Sequence, residues 1–260
     1  PIWLTGDLCQ PTLAGYFADM SNAPHATPPV LAQHPLSALF WAFAAPMLFP
    51  ALATFVLITI LGPSQAWMLG GERQWQVMAI SHLALFALMS RWCEQIGAGA
   101  FSAPVRADSD WVAMGAFLGP LVLHGVALLV ALVVANGDPN WMYRDGADTR
   151  MFAPERLTPS LVAFAVILAP VVEEIAFRGI ALGCLLARGW SPWMAAALTS
   201  AGFAVVHMQY APIALIPVFA AGFLFAWLRI QTGSIGPSIV AHASANAVAL
   251  VLFAIAEGQL

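Results

Sequence analysis

Lysine is absent from this chain: all nine of its basic residues are arginine. Charge of either sign is scarce, at 8% of 260 residues, where an ordinary soluble domain carries about 25%. That scarcity excludes an ordinary water-soluble fold. The net charge is −4 and no basic stripe occurs, so nucleic-acid binding has no support. The three cysteines, Cys9, Cys93 and Cys184, stand far apart and fit no zinc or redox spacing. They are expected to pack as small apolar side chains. The short alternating segments of a membrane barrel are missing too. Residues 1–35 lack the basic and apolar regions of a signal peptide.

What fills the chain instead is apolar: 61% of residues are hydrophobic and the mean hydropathy is +0.82. The apolar stretches are continuous and long, which reads as an all-α polytopic membrane protein. Spans are expected at about 37–61, 75–92, 111–135, 160–187, 192–208, 211–229 and 237–256. An eighth arises if 160–187 breaks near Pro170, and Pro46 and Pro50 predict a kink in the first. In "RGWSP", Ser191 is placed as an N-cap and Pro192 at the first helical position. No internal repeat occurs. Arginines in alternate loops total nearly the same for both topologies, so the positive-inside rule assigns no orientation.

Four segments follow. Residues 1–35 are a Pro-rich, non-membrane N-terminal extension, suited to docking on a membrane-protein partner. Residues 36–135 are the N-terminal transmembrane helices. Residues 136–159 form a polar loop with three of the nine arginines. Residues 160–257 carry the remaining helices.

Among thirteen Asp and Glu, Glu173 and Glu174 are the two well inside an apolar span. Each costs roughly 2.5–3.5 kcal/mol at mid-bilayer before any pairing, so intramembrane carboxylates are functional candidates. Glu174 and Arg178 are four residues apart and share a helix face, where they can pair. Glu173 points about 100° away. It is therefore expected to face a polar cavity, as a general base. One buried ion-pair network without chemistry is the bland alternative. Four histidines also fall in apolar spans. His82 and His124 are expected to be hydrogen-bonded packing residues. His207 follows Phe203 by one helical turn, and Asn246 follows His242 by one turn, so each pair shares a face. Glu173, His207, His242 and Asn246 come from three spans. Converging, they would offer a base, a proton shuttle and an oxyanion donor.

These motifs, "EEIAFR", "FAVVH" and "HASAN", occur in one order on apolar helices. Together with "AGFLFAWLRIQTGSIGPSIVAHASANAVAL", they resemble the CAAX-protease and bacteriocin-processing family of intramembrane proteases, also called the Abi family. The resemblance covers about 160–250 and implies a bundle of about seven to eight helices around an intramembrane cavity. It implies that Glu173 and His207 activate water while His242 and Asn246 stabilise the oxyanion. Glu174, Arg178 and Phe203 have supporting roles. The expected substrate is a membrane-associated or lipidated protein or peptide. The family is often labelled metalloprotease, and Glu173, His207 and His242 would be the zinc ligands. The absence of H-E-x-x-H, with ligands drawn from separate helices, favours a reaction without cofactor. Two further readings stay open: a non-catalytic scaffold, assembly or immunity partner, and a proton-coupled transporter. Arginine in place of lysine, with abundant Ala and Trp, points to a GC-rich bacterial source and hence the inner membrane.

Overall fold

The fold is known from a computed structural model that describes residues 29–61, 72–98, 109–134, 136, 157–208 and 210–256. Cys9, most of the extension and nearly all of the polar loop at 136–159 lie outside the described residues.

Each apolar stretch becomes a helix. Helix α1 runs as Pro35–Leu39, Phe40–Ala44 and Ala45–Leu61. Then come α2 (Glu72–Gln95), α3 (Ser109–Val133), α4 (Pro159–Ala187), α5 (Pro192–Val205), α6 (Leu215–Thr232) and α7 (Gly236–Ala256). Among the described residues, five of these seven helices are long and apolar enough to cross a membrane. Helix α2 falls outside that set, and α5 is apolar but short. At 1.5 Å per residue α5 spans only ~21 Å, less than the ~30 Å hydrocarbon core. Outward-facing Phe55, Phe117, Leu128 and Ile255 are exposed, as lipid-facing side chains should be.

The conditional eighth span does not arise, because 160–187 does not break near Pro170. Helix α4 is continuous, with wide π turns at Ala163–Leu168 and Ile175–Ala181. A proline ring clashes with the carbonyl four residues before it and donates no hydrogen bond. For Pro170 that carbonyl belongs to Val166, inside the first π turn. The wider turn accommodates the proline, and the helix goes on. Helix α1 does the same at Pro46, whose fourth predecessor, Ala42, lies in the π turn Phe40–Ala44.

Ends are set by local chemistry. Thr158 caps α4, its Oγ1 accepting from Leu161 N at 3.2 Å, with Pro159 in the first turn. Ser191 stands at the N-cap of α5 and Pro192 follows, but the serine side chain makes no capping bond. Between α6 and α7, Gly233 closes α6 at φ 65°, a left-handed conformation that favours glycine. Ser234 Oγ then accepts from Gly236 N at 3.1 Å and opens α7.

Helix α4 sits at the centre, touching α1, α2, α5, α6 and α7. Val172, Ile175, Phe177 and Ile180 fill the main core with Leu85 and Met89 of α2. Leu31, in the short 3-10 turn Pro29–Gln33, is buried in the same core. Helix α3 runs along α7 because Gly115 and Gly119 leave no side chain between them and the backbone of Pro237 and Ala241. That contact fixes the height of His242, the next residue on α7.

Candidate active site

Glu173 and Glu174 close the α-helical segment Ala169–Glu174 of α4, and the second π turn begins at the next residue. π turns inside helices are frequent at functional sites. The two carboxylates leave α4 toward different surroundings.

Glu174 is buried. Its Oε1 accepts from Arg178 Nη1 at 3.0 Å and from His242 Nδ1 at 3.0 Å. The predicted pair four residues apart therefore forms. Arg178 is fully buried too, and its Nη2 donates to Gly222 O at 2.8 Å. Aromatic rings enclose the guanidinium: its Cζ lies 4.6 Å from the Phe203 ring, 5.3 Å from Phe225 and 5.7 Å from Phe177. A Cβ at Gly222 would come within 3.2 Å of both Arg178 Nη2 and the Phe203 ring, so the close approach of α6 depends on that glycine.

Glu173 faces a cavity of about 290 Å³. Its Oε2 lies 3.8 Å from His242 Nε2 and 4.0 Å from His207 Nε2, and no hydrogen-bond partner satisfies it. His207 comes just past the end of α5, and its Nδ1 is 2.7 Å from Phe203 O. A carbonyl only accepts, so Nδ1 carries the hydrogen and the neutral ring turns the lone pair of Nε2 toward Glu173. The same logic applies to His242: Nδ1 donates to the Glu174 carboxylate, which leaves Nε2 for the cavity. Asn246 lines the cavity one turn further along α7. Its Nδ2 donates to Ala165 O at 2.8 Å, a carbonyl of the first π turn, and a second N–H remains.

The seven predicted residues thus come together around α4. Phe203 packs behind the histidines, 4.6 Å from the His207 ring and 5.6 Å from His242. Residues the motifs did not mark also take part. Phe225 stacks on His242 at 5.0 Å, and Tyr210 stacks on His207 at 6.1 Å. His82 is a buried residue hydrogen-bonded through Nδ1 to Met78 O, as expected, and it also lines the cavity. The signal was its spacing, since Trp75, Met78 and His82 fall on one helical face. His124 holds its own chain at Pro120 O, as a packing residue does. Cys93 and Cys184 are free and buried.

Zinc was tested against this geometry. A tetrahedral ion with bonds of 2.0–2.1 Å holds its ligand atoms about 3.3 Å apart. The separations of 3.8 and 4.0 Å at Glu173 Oε2 are wider. Among the described residues no group of three or more His, Cys, Asp and Glu is placed to hold a metal ion. As arranged, the donor atoms stand wider apart than a bound zinc ion would hold them.

Comparison with known proteins bears on the same region. No solved structure matches the chain. An Escherichia coli protein described as "Uncharacterized 24.3 kDa protein" is 31% identical over 107 residues. That match covers 40% of this chain and 49% of the relative, so it spans about half the relative's length. Residues 155–248 match the family model described as "Type II CAAX prenyl endopeptidase Rce1-like". Glu173, Glu174, Arg178, Phe203, His207, His242 and Asn246 all fall inside that match, whereas His82 and Trp75 fall outside it. The segment that builds the site is therefore similar to the type II CAAX prenyl endopeptidases, and the chain is an integral membrane protein.

Proposed function

We propose that this protein is an intramembrane endopeptidase that hydrolyses a peptide bond of a membrane-associated or lipidated protein or peptide. One observation carries the reading: the unpartnered Glu173 Oε2, set in a membrane cavity between two imidazole nitrogens. An unsatisfied buried carboxylate oxygen is costly unless water or substrate completes it.

A water in the gap would donate one hydrogen to Glu173 and the other to His207 Nε2. Hydrogen bonds of about 2.8 Å to two acceptors 4.0 Å apart suit one water molecule. Its free lone pair then faces the peptide carbon. As the C–O bond forms, Glu173 takes the proton as general base. The remaining N–H of Asn246 would meet the oxyanion. His242 joins it when its ring carries the second proton, a charge that Glu174 at 3.0 Å compensates. The C–N bond then breaks, and the proton held at Glu173 passes to the leaving amine. In this scheme the protein's own side chains activate the water, without a cofactor.

The family likeness supports the coarse activity, and the bacterial relative fits a bacterial inner-membrane location. The test is complementation. Cells lacking the gene receive wild type or Glu173→Gln, and peptide termini in the membrane fraction are compared by mass spectrometry. A set of termini made by wild type and lost in the variant is expected. Equal termini from both would end the hydrolase reading in favour of a scaffold.

A further inference from the structure

Part of the cavity wall is contributed by α2, which lies outside residues 155–248 that match the family model. It presents Trp75, Met78 and His82. Two of these offer a substrate backbone no strong acceptor: a tryptophan N–H only donates and a thioether accepts weakly. His82 differs. Its Nδ1 lies 2.9 Å from Met78 O, so that nitrogen must carry the hydrogen. Its Nε2 is left without a hydrogen bond, and the residue lines the cavity. The ring cannot turn freely. Phe164 of α4 meets it edge-on at 4.8 Å, and the residue is only 4% exposed. The result is a fixed lone pair in an otherwise apolar wall.

A peptide drawn into such a cavity brings backbone N–H groups that lose their water. Each must find an acceptor or cost the free energy of an unmade bond. Glu173, His207 and His242 are engaged at the reacting centre. We infer that His82 is a substrate-binding residue, whose Nε2 accepts a hydrogen bond from one backbone N–H of the bound peptide on the α2 side of the cavity. This rests on the endopeptidase reading above and extends it: the site selects an unmodified secondary amide at that position and disfavours proline or an N-methylated residue there.

The test uses the full-length protein in lipid nanodiscs. Its substrate is a synthetic peptide spanning a cleavage site defined by the Glu173-dependent termini. Analogues carry one N-methyl group at each flanking residue in turn. Wild type is expected to lose roughly 2- to 10-fold in kcat/KM at one flanking residue through this bond. His82→Leu, or His82→Phe, which keeps a ring against Phe164, should raise KM for the parent peptide with kcat largely kept. In either variant the N-methyl penalty at that residue should vanish, because no acceptor remains to be missed. A merely structural role would slow all analogues by one factor and leave the penalty in place, which overturns the assignment. A wild-type scan with no singled-out residue overturns it as well. Cleavage that does not depend on Glu173 overturns the hydrolase reading itself, and the His82 role falls with it.

Discussion

Two carboxylates stand side by side on α4, and the molecule treats them as opposites. Glu174 is fully buried, and its Oε1 is held by Arg178 and by His242 Nδ1, although its Oε2, like that of Glu173, has no hydrogen-bond partner. Glu173 instead lines the cavity, with its Oε2 3.8 and 4.0 Å from two imidazole nitrogens. His242 joins the two regions, with Nδ1 in the first and Nε2 in the second. The difference shows how a bilayer-spanning helix tolerates paired charges. On the proposed reading, one is neutralised to hold the helices together and the other is kept available for chemistry.

Substitutions should separate the two regions. Glu173→Gln has the largest expected effect, a loss of roughly 10²–10⁴-fold in cleavage rate with little change in unfolding. It is measured as turnover of the peptide substrate beside thermal unfolding in the same detergent. Arg178→Leu acts on the other region. It leaves Glu174 buried and uncompensated, a loss of about 3–5 kcal/mol, read by denaturant unfolding. Asn246→Ala returns to the cavity, where losing one oxyanion donor should lower kcat by about 10²–10³-fold. Gly222→Ala is the mildest. The added methyl crowds Arg178 and Phe203, and about 1–3 kcal/mol of stability should be lost while Glu173 chemistry persists at lower temperature.

Much of this was legible before any coordinates. Seven apolar stretches became seven helices, and the four-residue spacing of Glu174 and Arg178 became an ion pair at 3.0 Å. Periodicity carries that much because it belongs to a single helix. What it missed lies between helices. Phe225 stacks on His242 across the α6–α7 turn, and nothing in the local pattern of α6 marks one phenylalanine from another. The Gly115 and Gly119 face matters only once Ala241 lies against it. Whether the helix breaks at Pro170 was open in the sequence, because proline rules assume an α-helical neighbour, and the π turn before it removes that assumption. His82 packs and hydrogen-bonds within its own helix, as its pattern suggests. Its cavity role depends on where α2 docks.

The most direct test sets the two glutamates against each other. Glu173→Gln and Glu174→Gln are purified alike, and cleavage and unfolding midpoint are measured on each. The account predicts that Glu173→Gln abolishes cleavage and keeps the midpoint. It predicts that Glu174→Gln, which strips the charge facing Arg178 and His242, lowers the midpoint by several degrees. Equal midpoints with equal cleavage, or a stable Glu174→Gln beside an unfolded Glu173→Gln, would contradict it.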